Sequence, residues 1–222
     1  MDAQFWDDLY RSRDQLFSGA PNGVLVTEIT DLPLGQALDV GCGEGADAIW
    51  LARRGWQVTA VDISRAALER AVAAATDVQG RVAWTRADLT GTPPPAATDV
   101  QGRVAWTRAD LTGTPPPAAA FDLVSVHYFP LAHQPDHTAL RGLLDAVAPG
   151  GTLLFATHAL ADLSPDPERD FDPGDYYQPD EIARLLDDDW TVLINETRPR
   201  TAPAPAGTHH TQDTVLRARR LR

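Results

Sequence analysis

The chain has 222 residues, a formal net charge of −12 and a single cysteine, Cys42. The length suits one α/β domain over residues 1–222, the acidic balance repels phosphate backbones and argues against a nucleic-acid partner, and the lone thiol excludes an intrachain disulfide and a cysteine metal cage. No apolar run reaches the length of a bilayer span, and the start Met1-Asp2-Ala3-Gln4-Phe5-Trp6-Asp7-Asp8 lacks the basic-then-apolar order of a secretory signal, so no membrane partner and a cytoplasmic location are expected.

Residues 3–16 bring Phe5, Trp6, Leu9, Tyr10 and Leu16 near helical spacing, and Pro21-Asn22 opens a second short helix through Ile29. A strand over 36–40 runs into Gly41-Cys42-Gly43-Glu44-Gly45, and a helix over 46–54 is closed by Gly55. A second strand covers 57–62, and Ser64 caps a helix through about Ala74.

Residues 75–96 and 97–118 are then identical, letter for letter. Solenoid repeats drift and come in threes or more, so this is a tandem duplication of one strand unit. Each copy carries one strand candidate, 81–88 or 103–110, followed by a proline-rich turn. Only one copy fits one place in a sheet. An insert entering before the strand lies farther from the binding face, which favours the second copy; order of synthesis favours the first. The spare copy is either mobile or packed as an added edge. Strand exchange through it offers a route to an oligomer, whose state stays open.

A buried strand over 121–127 follows, then a helix over 137–148 stopped by Pro149-Gly150-Gly151, a strand over 152–158 and a helix from Pro179 through Leu186. Two closing strands, 190–196 and 213–219, have no helix between them. Strand–helix alternation predicts a Rossmann-like, doubly wound α/β sheet with an antiparallel end. The arginines of the C-terminal stretch (Arg217, Arg219, Arg220, Arg222) are expected to edge a strand.

In such a sheet, ligands bind beyond the carboxyl ends of the strands. Gly41, Gly43 and Gly45 sit at the first such end and let a backbone approach a ligand closely. The pattern also fits a dinucleotide loop. A pyrophosphate, however, wants a helix N-terminus free of carboxylates, and here Asp39 and Glu44 flank the loop. They suit a ligand carrying an ammonium and a sulfonium. Asp62 ends the second strand, 21 residues past Gly41, where a carboxylate accepts from a ribose diol; the plainer reading is a cap before Ser64. Ile63 covers an adenine face or is core. Asp88 or Asp110 at the end of the duplicated strand is placed to accept from an adenine amino group, with Leu89 or Leu111 beside it.

Together these residues resemble class I S-adenosylmethionine-dependent methyltransferases. The likeness is carried by Leu38-Asp39-Val40-Gly41-Cys42-Gly43-Glu44-Gly45, Val61-Asp62-Ile63-Ser64, Ala109-Asp110-Leu111-Thr112, Phe121-Asp122-Leu123-Val124 and Ala148-Pro149-Gly150-Gly151-Thr152-Leu153. The branch is the small-molecule one, like thiopurine and tellurite-resistance methyltransferases. The resemblance implies a seven-stranded sheet of order 3-2-1-4-5-7-6 with the last strand antiparallel. It implies S-adenosylmethionine as cofactor, S-adenosylhomocysteine as product, and methyl transfer to a small-molecule acceptor by in-line displacement. It makes residues 1–30 a helical lid in which Trp6 and Tyr10 touch the cofactor. It points the loop after the fourth strand at the methyl group, with His127 as a general base and Tyr128 as a positioning hydroxyl; the plainer reading of His127 is a satisfied histidine at a strand end. His158 faces the same side.

The other candidates are weaker. Pro135 separates His133 from His137, so no metal site is expected there. His209 and His210 are adjacent and are read as turn residues. Tyr176-Tyr177-Gln178 is read as part of a lid. A nicotinamide-dependent oxidoreductase is the alternative function. The chain contains no lysine, which excludes lysine-dependent versions of that chemistry. A non-catalytic cofactor-binding fold is the third reading.

Overall fold

A computed structural model describes residues 2–88, 109–110, 115–166, 171–201 and 210–222. Leu89, Leu111 and His209 lie outside the described residues, as do the side chains of Asp88 and Asp110. The helices are α1 (Ala3–Arg11), α2 (Gly23–Glu28), α3 (Ala46–Arg53), α4 (Arg65–Ala74), α5 (Thr138–Ala146) and α6 (Pro179–Leu185). The strands are β1 (Gln36–Val40), β2 (Gln57–Asp62), β3 (Val82–Asp88), β4 (Ala109–Asp110), β5 (Phe121–His127), β6 (Val147–His158), β7 (Trp190–Pro199) and β8 (Gln212–Arg220).

One sheet runs β4-β3-β2-β1-β5-β6-β8-β7. β8 is antiparallel to both of its neighbours. Without the two-residue β4, this is the expected order 3-2-1-4-5-7-6 with the last strand reversed. The inner strands are apolar on both faces because both faces are covered. Alternate residues of each strand feed opposite cores: Leu38, Val124, Leu153 and Leu216 join one cluster, while Ala37, Leu123, Leu154 and Val215 join the other with Leu51, Trp56 and Leu68. Each such side chain contributes about 1.5–3 kcal/mol on burial.

The first copy of the duplication fills the third place. β3 pairs parallel with β2 from Val58↔Val82 to Asp62↔Arg86. The cause is local. Past α4, Val78 N–H donates to the Ala75 carbonyl at 3.2 Å and Arg81 N–H to the Val78 carbonyl at 3.1 Å. Val78 is buried, and Asp77 pairs with Arg53 at 2.8 Å. Those turns deliver the chain straight into β3. From the second copy, Ala109 and Asp110 pair in parallel with Ala87 and Asp88, residue onto identical residue.

Two expectations are corrected. α1 ends at Arg11 rather than reaching Leu16, with Ser12 N–H closing its last turn. Tyr177 is not a lid residue: it is buried in the core and hydrogen-bonded to His137 Nδ1. The C-terminal arginines lie on strand β8 or just past its end, as expected, and β8 runs inside the sheet. Arg217 pairs with Asp31 at 2.9 Å and with Glu28 at 3.7 Å, and Arg220 donates to the Asp145 and Val147 carbonyls at the end of α5.

Candidate active site

A cavity of about 770 Å³ opens at the carboxyl ends of β1, β2, β5 and β6 and is roofed by residues of the N-terminal segment. Its size lies within the range of about 300–1,000 Å³ for small-ligand sites. Of the expected cofactor residues, Trp6, Tyr10, Asp39, Gly41, Gly43, Asp62 and Ile63 all line it.

The glycine loop has a clear physical logic. Gly41, Gly43 and Gly45 all have positive φ, which favours glycine. A Cβ on Gly41 would lie 2.7 Å from the Phe129 ring, and one on Gly43 2.8 Å from the Tyr10 hydroxyl. Gly45 serves packing instead: a Cβ there would meet Trp84 at 2.7 Å and Ala71 at 2.8 Å. The third glycine thus seats α3 and α4 against β3.

Three buried carboxylates stand behind this loop. Asp39 accepts from the Ala48 N–H in the first turn of α3, yet burial, then Asp47 and Asp62, push its carboxyl well above the usual range. Its Oδ2 is buried and unpartnered. Asp62 accepts from Gly43 N–H and Ser64 N–H, each at 2.8 Å, so the cap reading of Asp62 is realised. Burial above all lifts it to about 6. Asp47 is held low despite its burial, by hydrogen bonds from His127 and from Asn22. Such a cluster favours a cationic ligand over a pyrophosphate.

Glu44 departs from the expectation that it faces a cation in the site. It pairs with Arg70 at 2.8 Å and accepts from Leu16 N–H at 3.2 Å and Phe17 N–H at 3.1 Å. It anchors the N-terminal segment. The same segment is held where Asn22 meets Asp47, N–H to Oδ1 at 2.7 Å. Tyr10 is buried against Trp6 and Phe17 at ring distances of 6.3 and 6.2 Å. Its hydroxyl is held protonated chiefly by burial.

At the other end of the cavity lies His127. Its Nδ1 is 2.9 Å from Ser125 Oγ and 3.3 Å from Asp47 Oδ2, while its Nε2 is buried without a partner. Tyr128 follows with φ +53°. Burial first, and then the Asp213 carboxylate, hold its hydroxyl protonated. Its ring stacks on His158 at 4.5 Å, and His158 stacks on His210 at 3.8 Å. Burial first, then His210 and Arg200, lower His158 to about 3, which keeps it neutral.

Sequence reasoning missed Asp47 and Arg200. Asp47 sits in the first helical turn after the glycines and reads as a helix cap in the sequence. Arg200 sits just past β7, in a stretch with no distinguishing pattern.

A family model described as a methyltransferase domain matches residues 20–211. The chain belongs to this family. The resemblance to class I S-adenosylmethionine-dependent methyltransferases is thereby borne out, and the nicotinamide alternative falls. Among curated proteins, ribosomal RNA small subunit methyltransferase C of Alcanivorax borkumensis is 44% identical over 50 residues, 22% of this chain. The chain spans only 15% of that relative's length.

Two solved structures share the fold of this methyltransferase-family chain. One is described under the conversion of a disulfide bond into a thioacetal group during echinomycin biosynthesis. It has a TM-score of 0.68 and 23% identity, covering 98% of this chain and 92% of its own. The other is the N-methyltransferase NodS of Bradyrhizobium japonicum WM9 in complex with S-adenosyl-L-homocysteine. It has a TM-score of 0.65 and 17% identity, covering 99% and 98%.

Proposed function

We propose that this chain transfers a methyl group from S-adenosylmethionine to a small-molecule acceptor whose proton is taken by His127. The observation that carries this reading is His127, which lines the same cavity as the glycine loop, with a buried, unpartnered Nε2 and a carboxylate 3.3 Å from its Nδ1. A carboxylate there favours the tautomer with the proton on Nδ1, which leaves a lone pair on Nε2.

The residues present fit the cofactor. Gly41 and Gly43 line the cavity and let Phe129 and Tyr10 close against the loop. Asp39 Oδ2 offers an unused acceptor to an ammonium. Asp62 keeps lone pairs for a ribose diol beyond its two backbone bonds. Trp6, Tyr10 and Ile63 supply apolar walls. Asp88, which ends the strand beside β2, takes the adenine side in place of Asp110, with Leu89 next to it; Asp110 and Leu111 belong to the edge copy. Residues 1–30 act as the cover.

When bound, the cofactor supplies an electrophilic methyl on sulfur. His127 Nε2 would take the acceptor's proton, which leaves the acceptor's lone pair available for the methyl group the cofactor would supply. Tyr128 and Phe129 form walls that orient the acceptor, and orientation carries much of such a displacement.

A small acceptor is favoured over RNA. The net charge of −12 opposes phosphate binding, and the site is a roofed cavity rather than an open basic groove. Chemistry on small soluble molecules fits a cytoplasmic location. Among the described residues, no helix is long and apolar enough to cross a membrane.

The test is calorimetry with S-adenosylhomocysteine and with NAD, followed by methyl-donor turnover on a panel of phenols, amines and thiols. The expected result is heat with S-adenosylhomocysteine only, and turnover on at least one class. Binding of NAD alone would sink the reading. Binding of S-adenosylhomocysteine with no turnover on any class would favour the non-catalytic fold.

A further inference from the structure

The cavity wall opposite the glycine loop carries a second set of unused polar groups, centred on Arg200. Its side chain is about nine-tenths buried and lies 5.0 Å over the Tyr128 ring. Its Nη1 is committed twice, to Asp213 Oδ1 at 3.0 Å and to His158 Nδ1 at 2.9 Å. Its Nε is buried and unpartnered. Among the described residues no hydrogen bond uses Nη2.

Nε and Nη2 form one edge of the guanidinium. They present two parallel N–H donors at the spacing of a carboxylate's two oxygens. Arg200 lines the cavity, and leaving a buried charged donor unpaired is costly, so its Nε calls for an acceptor. His158 adds to it. It is neutral and accepts from Arg200 at Nδ1, so its own proton sits on Nε2 and is available for donation. On the same cavity, His127 Nε2 offers the complementary group, a lone pair for an acidic X–H. The Tyr128 ring lies near both, 5.0 Å from Arg200 and 6.4 Å from the His127 ring, and Phe129 lines the same cavity.

We propose that the methyl acceptor is a planar aromatic acid, with its carboxylate on the Nε–Nη2 edge of Arg200 and its nucleophilic hydroxyl, amine or thiol against His127. This deepens the methyltransferase reading and rests on it. Asp213 neutralises Arg200 in the free protein and fixes the guanidinium plane, so the fork is pre-oriented. Arg200 is a specificity residue, not part of the methyl-transfer chemistry.

The experiment measures binding of benzoate, benzamide and toluene to the full chain by calorimetry, with and without saturating S-adenosylhomocysteine. Benzoate is expected to bind about tenfold or more tightly than benzamide. Arg200→Gln should erase that preference while leaving S-adenosylhomocysteine affinity unchanged. Arg200→Lys, which keeps the charge but not the fork, should lose most of it and covers the case in which the Gln variant fails to fold. Equal binding of benzoate and benzamide overturns the proposal, as does a preference that survives in Arg200→Lys. Failure to bind S-adenosylhomocysteine would instead strike the methyltransferase reading, and the benzoate preference remains readable without it.

Discussion

Asp7 of α1 accepts hydrogen bonds from Ser64 Oγ at 2.7 Å and from the Ala66 N–H at 3.0 Å, so the N-terminal helix supplies part of the cap of α4. Ser64 itself accepts from the Ala67 N–H at 3.1 Å. The roof of the cavity and the turn that carries Asp62 are therefore fastened through the same few atoms. Their coupling is electrostatic as well, because the Asp7 charge adds to the rise in the Asp62 pKa.

Asp7→Ala should cost about 1–3 kcal/mol, the scale of a buried charged hydrogen bond. It should also release the roof. Amide exchange is expected to accelerate over residues 3–20, and affinity for S-adenosylhomocysteine is expected to fall. Unchanged exchange over those residues would show that Glu44 and Arg70 hold the segment without Asp7.

Asp62 gives a pH prediction with two opposite signs. Its folded pKa of about 6 lies above the ordinary carboxylate value. Its contribution to stability is therefore fully present below the unfolded pKa of about 3.9 and is lost as pH rises through 6, a change of about 3 kcal/mol. Cofactor binding runs the other way, since the ionised form is the better acceptor for a ribose diol. S-adenosylhomocysteine should bind more tightly at pH 7 than at pH 5 while the free protein gains nothing from Asp62. Asp62→Asn should flatten both slopes, and Asp62→Ala should weaken binding by about 1.5–3 kcal/mol. Calorimetry and thermal melts across that range check both halves.

His127 and Asp47 should behave as base and positioning residue. His127→Gln is expected to lower kcat by about 10²–10⁴ with an acceptor that needs deprotonation, leaving S-adenosylhomocysteine affinity in place. Asp47→Asn should lower kcat less and shift the tautomer. Nitrogen NMR of the His127 ring in the free protein reads this without turnover: the proton should sit on Nδ1 in the native chain and redistribute in the variant. A native ring protonated on Nε2 would remove its lone pair and the base with it.

Much of the glycine-loop end of the cavity was legible because its residues lie in one short span. Asp39, Gly41 and Gly43 follow from a strand running into glycines, and Asp62 from the next strand end. The end of the cavity around Arg200 is assembled across long separations. Arg200 meets His158 and Asp213 only because β8 is inserted between β6 and β7, a pairing that local periodicity does not encode. Glu44 illustrates the limit differently. Its place beside the loop is plain from the sequence, but its direction is decided by Arg70, 26 residues away. The choice between the duplicated strands was illegible in principle, because identical residues carry identical propensities. What separates them is the turn at Ala75–Arg81 that leads out of α4.

That duplication supports a last prediction. Deleting either copy yields the same 200-residue chain, so deletion cannot tell the copies apart and point substitution must. Trp84 is buried against Gly45 and Ala71, and a Trp→Ala change in such a core costs about 3–5 kcal/mol. Trp106 occupies the same place in the second copy. Using the second copy as third strand would lengthen one connection and shorten the next, and loop-closure entropy differs between the two arrangements by only about 0.2 kcal/mol. By sequence the chain thus carries a second copy of the segment that forms β3. Trp84→Ala should cost well under 3 kcal/mol, Trp106→Ala nothing measurable, and the double variant the full amount by chemical denaturation. If Trp84→Ala alone costs as much as the double, the second copy does not substitute, and the turn past α4 commits the chain to the first.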